Sequence, residues 1–153
     1  MNPFMQAALE EAQKGIEKGE GGPFGAVIVK DGKIIARGHN EVVGSNDPTA
    51  HAEMVAIRKA SALLKSFKLE GCELYATGEP CPMCFSAIQW AHIDKVYYCN
   101  TKEDAAKIGF DDTFITQIIR GEVDNPIPFI HTPHAVCGEL LTQWFEKPDK
   151  IPY

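Results

Sequence analysis

Glu73-Leu-Tyr-Ala-Thr-Gly-Glu-Pro-Cys-Pro-Met-Cys-Phe-Ser-Ala-Ile-Gln-Trp-Ala-His-Ile-Asp-Lys-Val-Tyr-Tyr-Cys99 changes its pattern twice within one short stretch. Glu73 to Ala76 is strand-like, Gly78-Glu79-Pro80 is a turn, Pro82 to Trp90 has helical spacing, and Lys95 to Cys99 is strand-like again. Strands alternating with helices imply some parallel pairing, so the stretch predicts a layered α/β domain. Upstream, two β-rich runs, Phe24 to Val29 and Ile34 to Arg37, flank Asp31-Gly32, a dipeptide that signals a hairpin between such runs. Before them Phe4, Ala8, Leu9, Ala12 and Ile16 recur at helical intervals and Gly19, Gly21 and Gly22 follow, the pattern of an amphipathic helix with a glycine stop. Gly38 to Asp47 reads as a polar loop, with Pro48 in the first turn of a helix that continues from Ala50 to Leu64. Downstream, helical segments over Asp112 to Arg120 and Val136 to Phe145 flank Asn125-Pro-Ile-Pro128, and the tail Lys147 to Tyr153 carries two prolines that bar regular helix. With no internal repeat or low-complexity segment, residues 1–153 are read as one domain.

The 153 residues are 44% hydrophobic, enough for a continuous core without disulfide support. The five cysteines are an odd number, and Met1 to Gly22 is charged where a secretory signal would be apolar, so the expectation is a reducing cytoplasm. No apolar stretch is long enough to span a bilayer. Acidic residues outnumber basic ones 21 to 15, a net charge of -6. Polynucleotide binding draws most of its affinity from basic surface, so this balance favours a neutral small molecule over nucleic acid.

The chemistry concentrates in His51-Ala-Glu53 and Pro80-Cys81-Pro-Met-Cys84, each at the start of a predicted helix. Zinc takes tetrahedral nitrogen and sulfur ligands, and a catalytic site leaves the fourth position to water. His51, Cys81 and Cys84 fit that count, and the helix dipole at their positions favours the thiolates a metal needs. Glu53 lies two residues along the helix from His51, a poor spacing for a fourth ligand, which leaves it beside the water. A lone Cys-x-x-Cys can also be a structural half-site or a redox pair, but a closed structural site needs four protein ligands and no second such pair is present. Cys72, Cys99 and Cys137 border or sit in apolar runs and are expected to pack. His131-Thr-Pro-His134 reads as a solvent loop, and nothing beyond residue type singles out His39 or His92.

With these motifs the sequence resembles the cytidine deaminase-like zinc deaminases, and among them the small bacterial guanine deaminases. Gly21-Gly-Pro-Phe-Gly-Ala-Val27, Ser45-Asn-Asp-Pro-Thr-Ala-His-Ala-Glu53, Glu79-Pro-Cys-Pro-Met-Cys84, Gly109-Phe-Asp-Asp112 and the terminal Tyr153 carry the resemblance, which covers nearly the whole chain. The second and third segments are shared with tRNA adenosine deaminases; the last two tilt the reading toward guanine. The resemblance implies a three-layer α/β/α fold with a central mixed sheet of about five strands. It implies a homodimer that exchanges the C-terminal segment, about residues 126–153, compatible with the stiff proline-bearing link. It implies one zinc per chain and hydrolysis of guanine to xanthine and ammonia, with Glu53 moving the protons. Asn40 resembles the base-contacting amide, Phe24 an aromatic wall, Asp112 the carboxylate that reads the reactive edge, and Tyr153 its supporting contact.

Guanine presents two donors side by side, N1–H and the exocyclic amine, where adenine has an acceptor at N1. A carboxylate only accepts, so Asp112 suits guanine and repels adenine. Asp111 could trade places with it, and either could instead cap the following helix. The rival readings are a tRNA adenosine deaminase, a deaminase of cytosine or another aminated heterocycle, and a zinc protein without activity. Acidic composition speaks against the first, and Glu53, which no structural site needs, against the last.

Overall fold

The computed structural model describes residues 1–153. Helix α1 (Pro3–Lys18) is capped by Asn2, whose side chain accepts from the amides of Phe4 at 2.8 Å and Met5 at 3.2 Å, and is stopped by Gly19 in the left-handed region at φ 65°. Strands β1 (Gly25–Lys30) and β2 (Lys33–His39) form the expected hairpin. Asp31 and Gly32 take φ of 49° and 72°, the two-residue turn whose twist matches its strands. The chain continues through α2 (Val42–Ser45), α3 (Ala52–Leu64), β3 (Cys72–Gly78), α4 (Pro82–Trp90), β4 (Lys95–Asn100), α5 (Lys102–Lys107), α6 (Thr113–Ile119) and α7 (Ala135–Glu146).

The sheet is mixed, in the order β2-β1-β3-β4. β1 runs antiparallel to both neighbours, while β3 and β4 are parallel and joined through α4. Side chains alternate across a strand, so β1 and β3 feed two cores. Ala26, Ile28, Leu74 and Ala76 pack with Ala52, Ala56 and Ala60 of α3 and Ile88 of α4; Val27, Val29 and Tyr75 pack with Ala7 and Ala8 of α1. The alanines bring the helices close to the sheet: a Cβ on Gly25 would stand 2.0 Å from the Ala8 carbonyl oxygen. Helices therefore cover both faces, as expected of an α/β/α fold.

Several details differ from the sequence-based expectation. The sheet has four strands, not about five. Helix α3 starts at Ala52, after Pro48 and Ala50, because Asp47 accepts from the Thr49 amide at 2.8 Å and hydroxyl at 2.7 Å and holds a competing turn. The polar loop before it contains α2, and α5 was not anticipated. Cys72 is buried, but Cys99 and Cys137 are exposed in the chain, Cys99 because β4 is the sheet's edge. His131 and His134 are exposed as expected.

By contact density the chain divides within α6 into Met1–Thr116 and Gln117–Tyr153. The first unit contains the sheet and both cores. In the second, His134 caps α7 by accepting from the Val136 amide at 3.3 Å, and Lys150 lies 5.3 Å from the centre of the Phe145 ring.

Candidate active site

His51 and Cys81 are the N-cap residues of α3 and α4, both in extended backbone, and neither side chain caps its own helix. Each is thereby free to turn across the end of the sheet. Pro82 follows Cys81 at the first helical position, where the missing amide costs nothing, and one turn of α4 brings Cys84 to the same side. The His51 Nδ1 lies 3.4 Å from the Cys81 sulfur and 3.6 Å from that of Cys84. All three donor atoms lie within 4.8 Å of one another. Tetrahedral zinc with bonds of 2.0 to 2.3 Å would hold such donors about 3.6 Å apart, so the trio is spaced to take one ion.

The electrostatics of the trio favour a metal. The thiol of Cys84, donating to Cys81, and the neighbouring His51 hold Cys81 down at about 4, a thiolate at neutral pH. The same sharing, with burial, pushes Cys84 up, and the contact with Cys81 raises His51. A metal taking all three donors displaces the protons left on His51 and Cys84. Glu53, at the second position of α3, is buried, with Oε2 3.6 Å from the Cys84 sulfur. Burial raises its carboxyl above the ordinary range.

These groups open on a cavity of about 460 Å³, ordinary for a small ligand. Phe24, Asn40, His51, Glu53, Cys81 and Asp112 all line it. Phe24 meets Phe110 edge to face at 5.0 Å between ring centres. Asn40 is buried; its Oδ1 accepts from the Val42 amide at 3.0 Å, which turns the amide nitrogen into the donor left for a ligand. Of the two aspartates, Asp111 is spent on the helix end, accepting from the Thr113 amide at 3.0 Å, and its carboxyl is lowered by Thr113. Both aspartates line the cavity, and Asp112 differs in having its carboxyl raised by burial, a shift that nearby Lys102 opposes. The cavity's lining comes wholly from the first unit, and Tyr153 ends the second unit, exposed.

Sequence reasoning missed Phe110 and Glu79 as lining residues. Phe110 stood beside the pocket carboxylates in a segment already singled out, an available signal. Glu79 accepts from the Lys102 amide at 3.2 Å and so ties α5 to the turn that precedes Cys81, a contact that local patterning does not encode.

Four similarities to known proteins bear on this arrangement. Residues 1–100 match the model of the cytidine and deoxycytidylate deaminase zinc-binding region. A guanine deaminase of Bacillus subtilis (strain 168) is 53% identical over 82% of this chain and 81% of its own. The crystal structure of a guanine deaminase from Bacillus subtilis superposes with a TM-score of 0.92 and 46% identity, covering 100% of this chain and 99% of that one. A tRNA-specific adenosine deaminase of Aquifex aeolicus is 40% identical over 94% of this chain and 93% of its own.

Proposed function

This chain belongs to the cytidine and deoxycytidylate deaminase family of zinc-binding enzymes, and on that footing we propose that it hydrolyses guanine to xanthine and ammonia. The observation that carries the choice of ring is the pairing of Asp112, an acceptor, with the Asn40 amide, a donor, in one cavity with the His51, Cys81 and Cys84 donors. Guanine offers the complementary set, N1–H and an amine for the carboxylate and acceptors elsewhere on the ring for the amide.

In this reading His51, Cys81 and Cys84 would hold one zinc, which when bound would lower the pKa of a water to about 7. Glu53, its carboxyl raised by burial, would take one proton from the attacking water and deliver it to N3 as the water oxygen bonds to C2, then pass the remaining hydroxyl proton to the amino group, so that the C2–N bond breaks and ammonia leaves. Asp112 holds the N1–H and amino edge, and Phe24, braced by Phe110, forms the wall on which the ring lies. Adenine would turn its N1 lone pair toward the Asp112 carboxylate, which weighs against the tRNA adenosine reading even though a tRNA deaminase is among the relatives. Zinc-loaded protein incubated with guanine should form xanthine and ammonia in equal amounts, and chelation should abolish turnover; no xanthine from zinc-loaded protein would end this reading.

The same reading includes a cytoplasmic homodimer exchanging residues about 126–153, with Tyr153 supplied to the other subunit's cavity. Phe129 and Ile130 are 86% and 82% exposed in the chain, and in the first unit Phe85 is 60% exposed; both are apolar surfaces of the kind an interface covers. No helix is long and apolar enough to cross a membrane.

A further inference from the structure

His39 is used by none of this chemistry, yet it is buried with carboxylates on both sides. It ends β2, immediately before Asn40. Its Nδ1 lies 3.2 Å from Oε2 of Glu11, a buried residue of α1, and its Nε2 contacts Oε2 of Glu20, in the loop after α1. Glu41 stands 4.0 Å from Nε2, and Lys14 caps the other Glu11 oxygen at 2.8 Å. A carboxylate oxygen thus faces each ring nitrogen, and both are engaged.

The placement of the three carboxylates gives the cluster its meaning. Glu20 accepts through its carbonyl from the amides of Val43 and Gly44, both at 2.9 Å, and leads directly into Gly21. Gly21 is pressed on Asn40 so closely that a Cβ there would stand 2.1 Å from the Asn40 Oδ1. Gly15 makes room for the ring from the other side, since a Cβ on it would lie 2.9 Å from the His39 Cδ2. The imidazole thus ties α1, the glycine rim and the end of β2 together at the wall that carries Asn40.

We propose that His39 is a positioning residue for ring recognition: held between Glu11 and Glu20, it fixes Asn40 and the Gly21 rim in the register that lets the Asn40 amide meet the ring. This rests on the reading of Asn40 as a base contact, and it makes His39 act through Asn40 rather than on the reacting atoms. A misplaced binding amide weakens substrate and transition state alike, so the signature is a raised KM with kcat little changed.

The test is steady-state kinetics of the zinc-loaded enzyme for wild type, His39→Leu, His39→Gln, Glu20→Gln, Asn40→Ala and the His39→Leu/Asn40→Ala pair. His39→Leu should raise KM about tenfold with kcat within about threefold and zinc content unchanged. His39→Gln, which keeps one donor, should fall between it and wild type. In the Asn40→Ala background the His39 effect on KM should vanish, because the group it positions is gone. Should His39→Leu fail to fold, Glu20→Gln decides, with an expected KM increase of about threefold. An unchanged KM in folded His39→Leu or in Glu20→Gln, a fall in kcat or melting temperature with KM unmoved, or full additivity with Asn40→Ala would each overturn the proposal. If wild type prefers another aminated ring, the guanine assignment falls on the wild-type measurement alone, and the same KM comparison with the preferred ring still judges His39.

Discussion

Glu53 and Asp112 are the residues whose replacement separates chemistry from binding. Glu53→Gln is nearly isosteric and leaves the three metal donors in place, but an amide carries no proton at neutral pH. Its kcat should fall on the order of a hundredfold or more with zinc content unchanged, checked by single-turnover kinetics and elemental analysis. Turnover within a few-fold of wild type would remove Glu53 from the proton path. Asp112→Asn should cost roughly one to three decades in kcat/KM for guanine, from the loss of a charge-assisted pair of hydrogen bonds. Because Asp111 serves the α6 end at 3.0 Å from the Thr113 amide, Asp112→Asn should leave the melting temperature close to wild type, whereas Asp111→Ala should lower it. The trio His51, Cys81 and Cys84 was legible in sequence because the His-x-Glu and Pro-Cys-x-x-Cys motifs resemble those of the zinc deaminases, and both sit on helix starts. His39 was not, since its partners Glu11, Glu20 and Glu41 lie on three separate segments that only the fold brings together.

Elements position the site through two packed faces of one sheet. Leu74, fully buried beneath α3 and α4, belongs to the layer that carries the helix starts with His51 and Cys81, and Leu74→Ala should destabilise the fold by about 2 to 5 kcal/mol in denaturant unfolding. The link from α1 to the sheet has an acid signature. Burial alone would raise Glu11, but the hydrogen bonds from Lys14 and His39 outweigh it and hold the carboxyl below its ordinary value of 4.5. A depressed folded pKa contributes stability that is present above 4.5 and lost as pH falls through the lower folded value, so Glu11→Gln should flatten the wild-type loss of stability in that acid window. An acid limb as steep in the variant as in wild type would contradict this. Helix α4 was legible to the residue because Pro82 fixes its first turn; the start of α3 was not, because the Asp47–Thr49 turn is a side-chain competition that periodicity does not see.

At the scale of the whole molecule, the sheet and cavity belong to Met1–Thr116, and the residues after them form a unit rich in exposed apolar side chains. If that unit is exchanged in a homodimer, mass measurement should give twice 16.8 kDa, and ending the chain at Pro152 should lower guanine turnover while leaving zinc in place. A monomer at working concentration, or a truncated chain with full activity, would remove Tyr153 from the site. The net charge of -6 and the proposed acceptor–donor pair of Asp112 and Asn40 both favour a small purine with donors on its reactive edge. The most direct measurement is ammonia release by the zinc-loaded protein with guanine, adenine, cytosine and a tRNA anticodon hairpin supplied in parallel. The account predicts rapid release from guanine and at least about a hundredfold lower efficiency with the other three; release from the tRNA hairpin or cytosine that matched or exceeded guanine would contradict it.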